Sequence, residues 1–342
     1  LRAKLRDGTT SVNREIKPLA RKLDKLIMQP VRKLAGKGKQ LLIAPDGKLN
    51  LLPFAALVDE SGKFLVENNK ISYLTSGRDL LRLEIKIENK QAPVIIGDPD
   101  FGPIPDASSI KEGSTLYARL GFPRLASTEP EARAIKELFP DADLLLQQQA
   151  TEEAINQQAT EEAINNLNAP LILHIATHGF FLQEEVAPAP TPDETRIGEI
   201  IGAEAENKFS DIKIENPLLR SGIALTGANL HKDEKEEGIF TALKTTGVNL
   251  WGTKVVVLSA CNTGVGEVKT GDGIYGLRRA LVLAGSETQL MSLWPVSDKG
   301  TKELMVDYYS RLQKDEGRAD ALRNVQLELL KNRKMGRSHP FY

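Results

Sequence analysis

The chain has 342 residues, 41% of them hydrophobic, with 45 basic and 46 acidic side chains and a formal net charge of −1. That apolar content is enough to fill a real core, which excludes wholesale disorder, and the charge balance gives no global attraction for nucleic acid or an anionic membrane. One cysteine rules out an intrachain disulfide and suits a reducing, cytoplasmic compartment. Runs such as Val255–Leu258 are too short to span a bilayer, the charged opening residues do not read as a secretory signal, and Leu1 reads as the cut edge of a larger protein.

Residues 1–39 hold twelve basic and three acidic side chains. An RNA-binding arm and a solvated helix face both fit that excess, and the solvated face is the simpler expectation. Ile16, Leu19, Leu23, Leu26, Ile27 and Leu34 recur at helical steps, which predicts one apolar helix face, bent at Pro30 and ended by Gly36-Lys37-Gly38. A strand at Gln40–Ala44, a turn at Pro45–Gly47, an apolar stretch at Leu49–Leu57, a strand at Ile71–Thr75 and a helix from Asp79 complete a small α/β unit, residues 1–90.

From residue 91 to 342 strands and helices alternate. Strands are expected at Val94–Gly97, Leu144–Gln147, Leu171–Ala176, Ile223–Leu225, Lys254–Ala260 and Gln289–Trp294. Helices are expected at Glu129–Phe139 (Ser127 and Thr128 as caps), Phe240–Asn249, Gly273–Leu283, Gly300–Gln313 and Ala319–Lys331. The nonapeptide QQATEEAIN occurs twice, at 148–156 and 157–165, and reads as a tandem duplication in a surface helix. The stretch 183–215 holds nine acidic and three basic residues and reads as a mobile surface loop. Continuous apolar strands alternating with helices predict an α/β fold, a mostly parallel sheet covered on both faces.

Two strands end in reactive side chains. LILHIAT runs into His178-Gly179, and KVVVLSA into Cys261-Asn262-Thr263-Gly264. Parallel sheets present ligand sites at the carboxyl ends of their strands, so neighbouring strands here would face His178 and Cys261 into one crevice. A thiol needs a base to ionise near neutrality, and imidazole suits the task. The N–H groups of Gly179 and Cys261 would then hold an oxyanion. The plainer alternative is a buried cysteine acting as a small hydrophobe and a structural histidine. Other motifs are weaker. Gly266–Gly271 has phosphate-loop spacing but Asp272 stands where lysine belongs, Gly264-Val-Gly266 lacks the third glycine of a dinucleotide fingerprint, and His174 and His178 share no nearby second cysteine for zinc.

HIATHGFF, VVVLSACNTG, GDGIYGLRRALVLAG and SLWPVSD together resemble the CHAT family, caspase-like domains associated with tetratricopeptide repeats and related to separase. LLIAPDGKLNLLPFAAL and YLTSGRDLL are similar to the family's N-terminal half, so the likeness runs from about Gln40 to Tyr342. The resemblance implies a caspase-type sheet, a cysteine endopeptidase with His178 as base and Cys261 as nucleophile, and neither metal nor cofactor. It also implies a protein or peptide substrate and control by an upstream tetratricopeptide-repeat region or partner, and a final strand beyond HPFY. A scaffold with an unused Cys–His pair is the competing function. In caspase-like folds the strand after the cysteine strand helps line the substrate pocket, here Gln289–Asp298. Asp298, with Trp294 beside it, would select Arg or Lys before the cut, Asp272 being a second candidate acid. Asp298 as a cap of the helix expected near Gly300 is an equal alternative.

Overall fold

The computed structural model describes residues 1–36, 38–105, 117, 120–147, 160–181, 216–230, 238–259, 272–292 and 298–331. The N-terminal elements are α1 (Arg2–Arg6), a π-helical turn at Val12–Ile16, α2 (Lys17–Ala35), β1 (Gln40–Ile43), α3 (Leu65–Asn68), β2 (Lys70–Tyr73) and α4 (Asp79–Arg82). Strands β1 and β2 pair in parallel, Gln40 opposite Lys70. The two strands, the helix stop at Gly36 (φ 73°) and the helix at Asp79 lie where the sequence puts them, while Leu49–Leu57 forms short 3₁₀ turns.

The inward seam of α2 differs from the leucine pattern. Ile16, Ala20, Asp24 and Met28 are buried, whereas Leu26 and Leu34 are exposed. Asp24 is tolerated inside because Arg21 and Arg32 meet it, Arg32 through two nitrogens at 2.6 and 2.7 Å, and buried charge is acceptable only when paired and hydrogen-bonded. Those contacts also raise the pKa of Arg32.

The C-terminal elements are β3 (Val94–Ile96), α5 (Thr128–Leu138), β4 (Asp143–Leu145), α6 (Glu161–Asn165), β5 (Ile172–Ile175), β6 (Gly179–Phe181), β7 (Ser221–Ala224), β8 (Ile239–Thr241), α7 (Ala242–Thr245), β9 (Val255–Leu258), α8 (Asp272–Ala284), β10 (Gln289–Met291), α9 (Asp298–Leu312) and α10 (Arg318–Lys331). The fold is α/β. Five strands form an all-parallel sheet in the order β10-β9-β5-β3-β4, and β6-β7-β8 form an antiparallel one.

Alternation explains the unbroken apolar strands. Leu173, Ile175, Val256 and Leu258 pack with Leu277 and Leu281 of α8, while Ile172, Val255 and Val257 pack on the other face with Ile135 of α5 and Met305 and Tyr309 of α9. Two expectations need correction. Phe240 and Thr241 belong to a strand, because Ile239–Thr241 pairs with β7, and the helix begins only at Ala242. Ser127 makes no side-chain cap bond; the Thr128 hydroxyl accepts from the Asp98 N–H instead, at 3.1 Å.

Helix α10 also serves the N-terminal elements. Arg323 donates to the carbonyls of Val66 and Glu67, at 2.8 and 2.7 Å, and Lys70 pairs with Asp320 at 2.9 Å. Residues 183–215 and most of the duplicated nonapeptide lie outside the described residues, but the end of the second copy is helix α6, anchored by buried Ile164.

Candidate active site

Strand β5 sits between β9 and β3, so the chain beyond it emerges at the middle of the sheet's carboxyl edge. Ile175 of β5 is paired with Leu258 of β9, and the Ser259 N–H donates to the Ile175 carbonyl. His178 stands three residues past Ile175, and Cys261 three residues past Leu258. Cys261 and Trp294 lie outside the described residues. Asp272 and Asp298 are the first residues of α8 and α9, so α9 starts two residues before the start expected near Gly300, and Asp298 is its first residue rather than the cap ahead of it.

His178 is buried, with 2% of its surface exposed. Its Nε2 donates to the carbonyl of Pro123 at 2.7 Å. A carbonyl oxygen only accepts, so Nε2 must carry the proton and the lone pair of the neutral ring sits on Nδ1. The rings of Phe101 and Phe122 flank the imidazole at centroid distances of 5.2 and 5.8 Å. The His178 carbonyl accepts from Ala224 N–H at 2.9 Å, and the Thr177 hydroxyl donates to the Ala224 carbonyl. That pairing leaves Gly179 opposite Ile223 at a position without ladder hydrogen bonds, so the Gly179 N–H points away from β7.

The segment holding Pro123 is itself fixed. Asn229, buried, accepts from the Phe122 N–H and donates to the carbonyls of Phe122 and Gly102, each at 2.9 Å. Its own N–H donates to the Phe101 carbonyl at 2.7 Å. One asparagine thus laces together both loops that flank the imidazole. Arg124, next to Pro123, grips Asp98 with Nε and Nη2, at 3.0 and 2.6 Å. Asp98 is buried at the end of β3 and has φ 43°, a left-handed conformation that aspartate tolerates better than most side chains.

His174 does not join His178. It lies inside the other face of the sheet, its Nδ1 3.0 Å from the Tyr309 hydroxyl and its Nε2 3.1 Å from Glu131. Burial, with Tyr308 and Glu131 nearby, pushes the Tyr309 hydroxyl well up, so it stays protonated beside Nδ1. Both histidines are spent on different neighbours, which speaks against a shared metal. A cavity of about 800 Å³ runs between edge strands β2 and β10, lined by Tyr73, Arg278, Met291, Thr301, Tyr308 and Arg318 among others. His178 is not in its wall, so cavity volume alone does not mark the strand-end site.

The CHAT domain profile matches residues 17–342. The chain belongs to the CHAT domain family. The parallel sheet of this CHAT domain, with helices on both faces, is the caspase-like fold of that family. It is 26% identical over 322 residues to tetratricopeptide repeat protein 28 of Homo sapiens, and 25% identical over 331 residues to the Mus musculus protein of that name. Each match covers 90% of this chain but 12% of the relative, so the CHAT domain here spans about an eighth of the relatives' length. The residues that hold the imidazole, Asp98, Phe101, Phe122, Pro123, Arg124 and Asn229, carried no signal in the sequence reading. Only the adjacency of GDPDFG to a strand end and the aromatic-proline-arginine run FPR hint at them.

Proposed function

We propose that this CHAT domain is a cysteine endopeptidase with Cys261 as nucleophile and His178 as general base. The register of β5 and β9 carries this reading, since each of the two residues follows a directly paired position by three residues on adjacent parallel strands. The Pro123 acceptor supports it further, because it leaves the imidazole lone pair on Nδ1. His178 takes the thiol proton, and the Cys261 sulfur attacks the scissile carbonyl carbon. The N–H groups of Gly179 and Cys261 hold the resulting oxyanion. The intermediate collapses as His178 returns the proton to the leaving amine. Water then hydrolyses the thioester, giving its proton to His178, and the thiol is regenerated.

The substrate is a protein or peptide cut after Arg or Lys. Asp298 supplies the negative charge, Trp294 walls the pocket, and Asp272 is the alternative acid. Asp298 opens the helix that follows β10, the neighbour of the cysteine strand, which suits that role. The repeats in the relatives' name support a parent protein in which a tetratricopeptide-repeat region or bound partner controls this domain. On this reading the domain divides near residue 90 and works in the cytoplasm. Among the described residues no helix is long and apolar enough to cross a membrane.

A caspase-like interaction module with an idle Cys–His pair is the competing function, and the relatives' name, which mentions repeats alone, favours it. Labelling separates the two. In the endopeptidase, Cys261 reacts faster with an electrophilic peptide ending in Arg than with a simple alkylating agent, and His178→Ala abolishes that advantage while the fold persists. Cleavage retained by Cys261→Ala, or no peptide advantage in the full-length parent, overturns the enzymatic reading.

A further inference from the structure

Asp98 and Arg124 take no part in the chemistry described above, yet they form a charged contact next in the chain to the acceptor of His178. Arg124 follows Pro123 in the chain, and its guanidinium meets both oxygens of Asp98, at 3.0 and 2.6 Å. The two partners are unequal. The Arg124 side chain is 66% exposed, while Asp98 is 2% exposed. A carboxylate so buried must keep its partner, because removing the guanidinium leaves an uncompensated charge in the interior. Asp98 is also anchored from behind. It stands two residues past Ile96 of β3, whose carbonyl accepts from Ala176 N–H of the chain leading to His178, and its N–H is held by Thr128 at the start of α5. Its left-handed backbone, φ 43°, is a local cost that the surroundings sustain.

We propose that the Asp98–Arg124 pair is a positioning clamp for the catalytic base: it fixes the Pro123 carbonyl, and through it the tautomer and aim of the His178 ring. This rests on the Cys–His reading above. Arg124 also lies 3.9 Å from the partly exposed Glu129 carboxylate, a longer contact than its grip on Asp98. Asn229 holds Phe122 from one side of Pro123, and the clamp holds Arg124 from the other, so the acceptor is pinned at both ends. Freed at one end, the carbonyl drifts and the ring loses the bond that sets its proton on Nε2. Misplacement of a reacting group by about 1 Å costs on the order of 10²-fold in rate.

The single cysteine of the chain makes the test direct, because every thiol alkylation, read on the Cys261 peptide, reports that one residue. The rate of reaction with iodoacetamide is measured from pH 5 to 10 on the folded full chain, as wild type, Arg124→Met, Arg124→Lys and Asp98→Asn. Wild type is expected to react well below the ordinary thiol range near pH 8.5. Arg124→Met and Asp98→Asn are expected to lose that low-pH reactivity by about 10- to 100-fold, while matching wild type at pH 10, where any thiol is ionised. Arg124→Lys keeps the charge without the two-nitrogen grip and falls between them. Asp98→Asn leaves no buried charge unpaired, so it gives a folded protein if Arg124→Met does not. A purely structural pair would lower Tm and leave the pH–rate profile of the folded protein unmoved. Variant profiles that overlay the wild type overturn the clamp alone. A wild-type profile of an ordinary thiol overturns the Cys–His reading and the clamp with it.

Discussion

Asn229→Ala removes the knot between the two loops that flank His178. In the folded chain its oxygen accepts from the Phe122 N–H, and its amide nitrogen donates to the carbonyls of Phe122 and Gly102, each at 2.9 Å. Asn229 is 4% exposed and Phe122 3%, so bulk water does not replace these bonds without local opening. Counted as net hydrogen bonds at roughly 0.5–1.5 kcal/mol each, the three sum to about 3 kcal/mol. The orphaned N–H carries its full desolvation cost of about 1–3 kcal/mol, which moves the expectation to about 3–5 kcal/mol. Urea unfolding followed by tryptophan fluorescence measures it, with the m-value held as the check that only stability has changed. Asn229→Asp sharpens the test. It keeps the acceptor for Phe122 N–H but turns an oxygen toward two carbonyls, so at pH 7 it should be at least as damaging as alanine. A loss below about 1 kcal/mol for Asn229→Ala, or wild-type stability for Asn229→Asp, refutes the network.

Two further outcomes are expected. Gly252 has φ 112°, and a Cβ there would sit 2.3 Å from the Glu88 carbonyl oxygen, so Gly252→Ala should cost about 2 kcal/mol or more by thermal or urea unfolding. Asp59 is pushed up by burial, yet its acceptor bonds from the Ser61 hydroxyl, the N–H groups of Lys63 and Ser61, and Asn68 outweigh that and hold it below the usual carboxylate range. Its stabilisation is therefore present above the unfolded value near pH 3.9 and lost as pH falls through the lower folded value, so Asp59→Asn should be less stable than wild type at pH 7, with the gap closing below about pH 4.

Strands buried on both faces were easy to read, because Val255–Leu258 and Ile172–Ile175 must be apolar at every position but one, and the exception, His174, is matched by Glu131 and Tyr309. The strand-end placement of His178 followed from the same run. Helix α2 was misread in detail since periodicity counts leucines, whereas an aspartate neutralised by two arginines can face inward. Phe240 and Thr241 read as the start of a helix because a short apolar run has no period of its own, and pairing with β7 decides it. The imidazole cradle was invisible for another reason. Pro123 lies 55 residues from His178, and Asn229 lies 107 from Phe122. Bonds between a side chain and a distant backbone carbonyl leave no local pattern.

The pairing of β6 with β7 has a consequence for how the chain tolerates change. Phe181 is in register with Ser221, and the His178 carbonyl accepts from the Ala224 N–H, so the chain that carries the imidazole is fastened to β7 as soon as it leaves β5. A change that loosens Ser221–Ala224 therefore reaches His178 without touching its ring, and the antiparallel sheet sets the aim of a residue that the parallel sheet delivers.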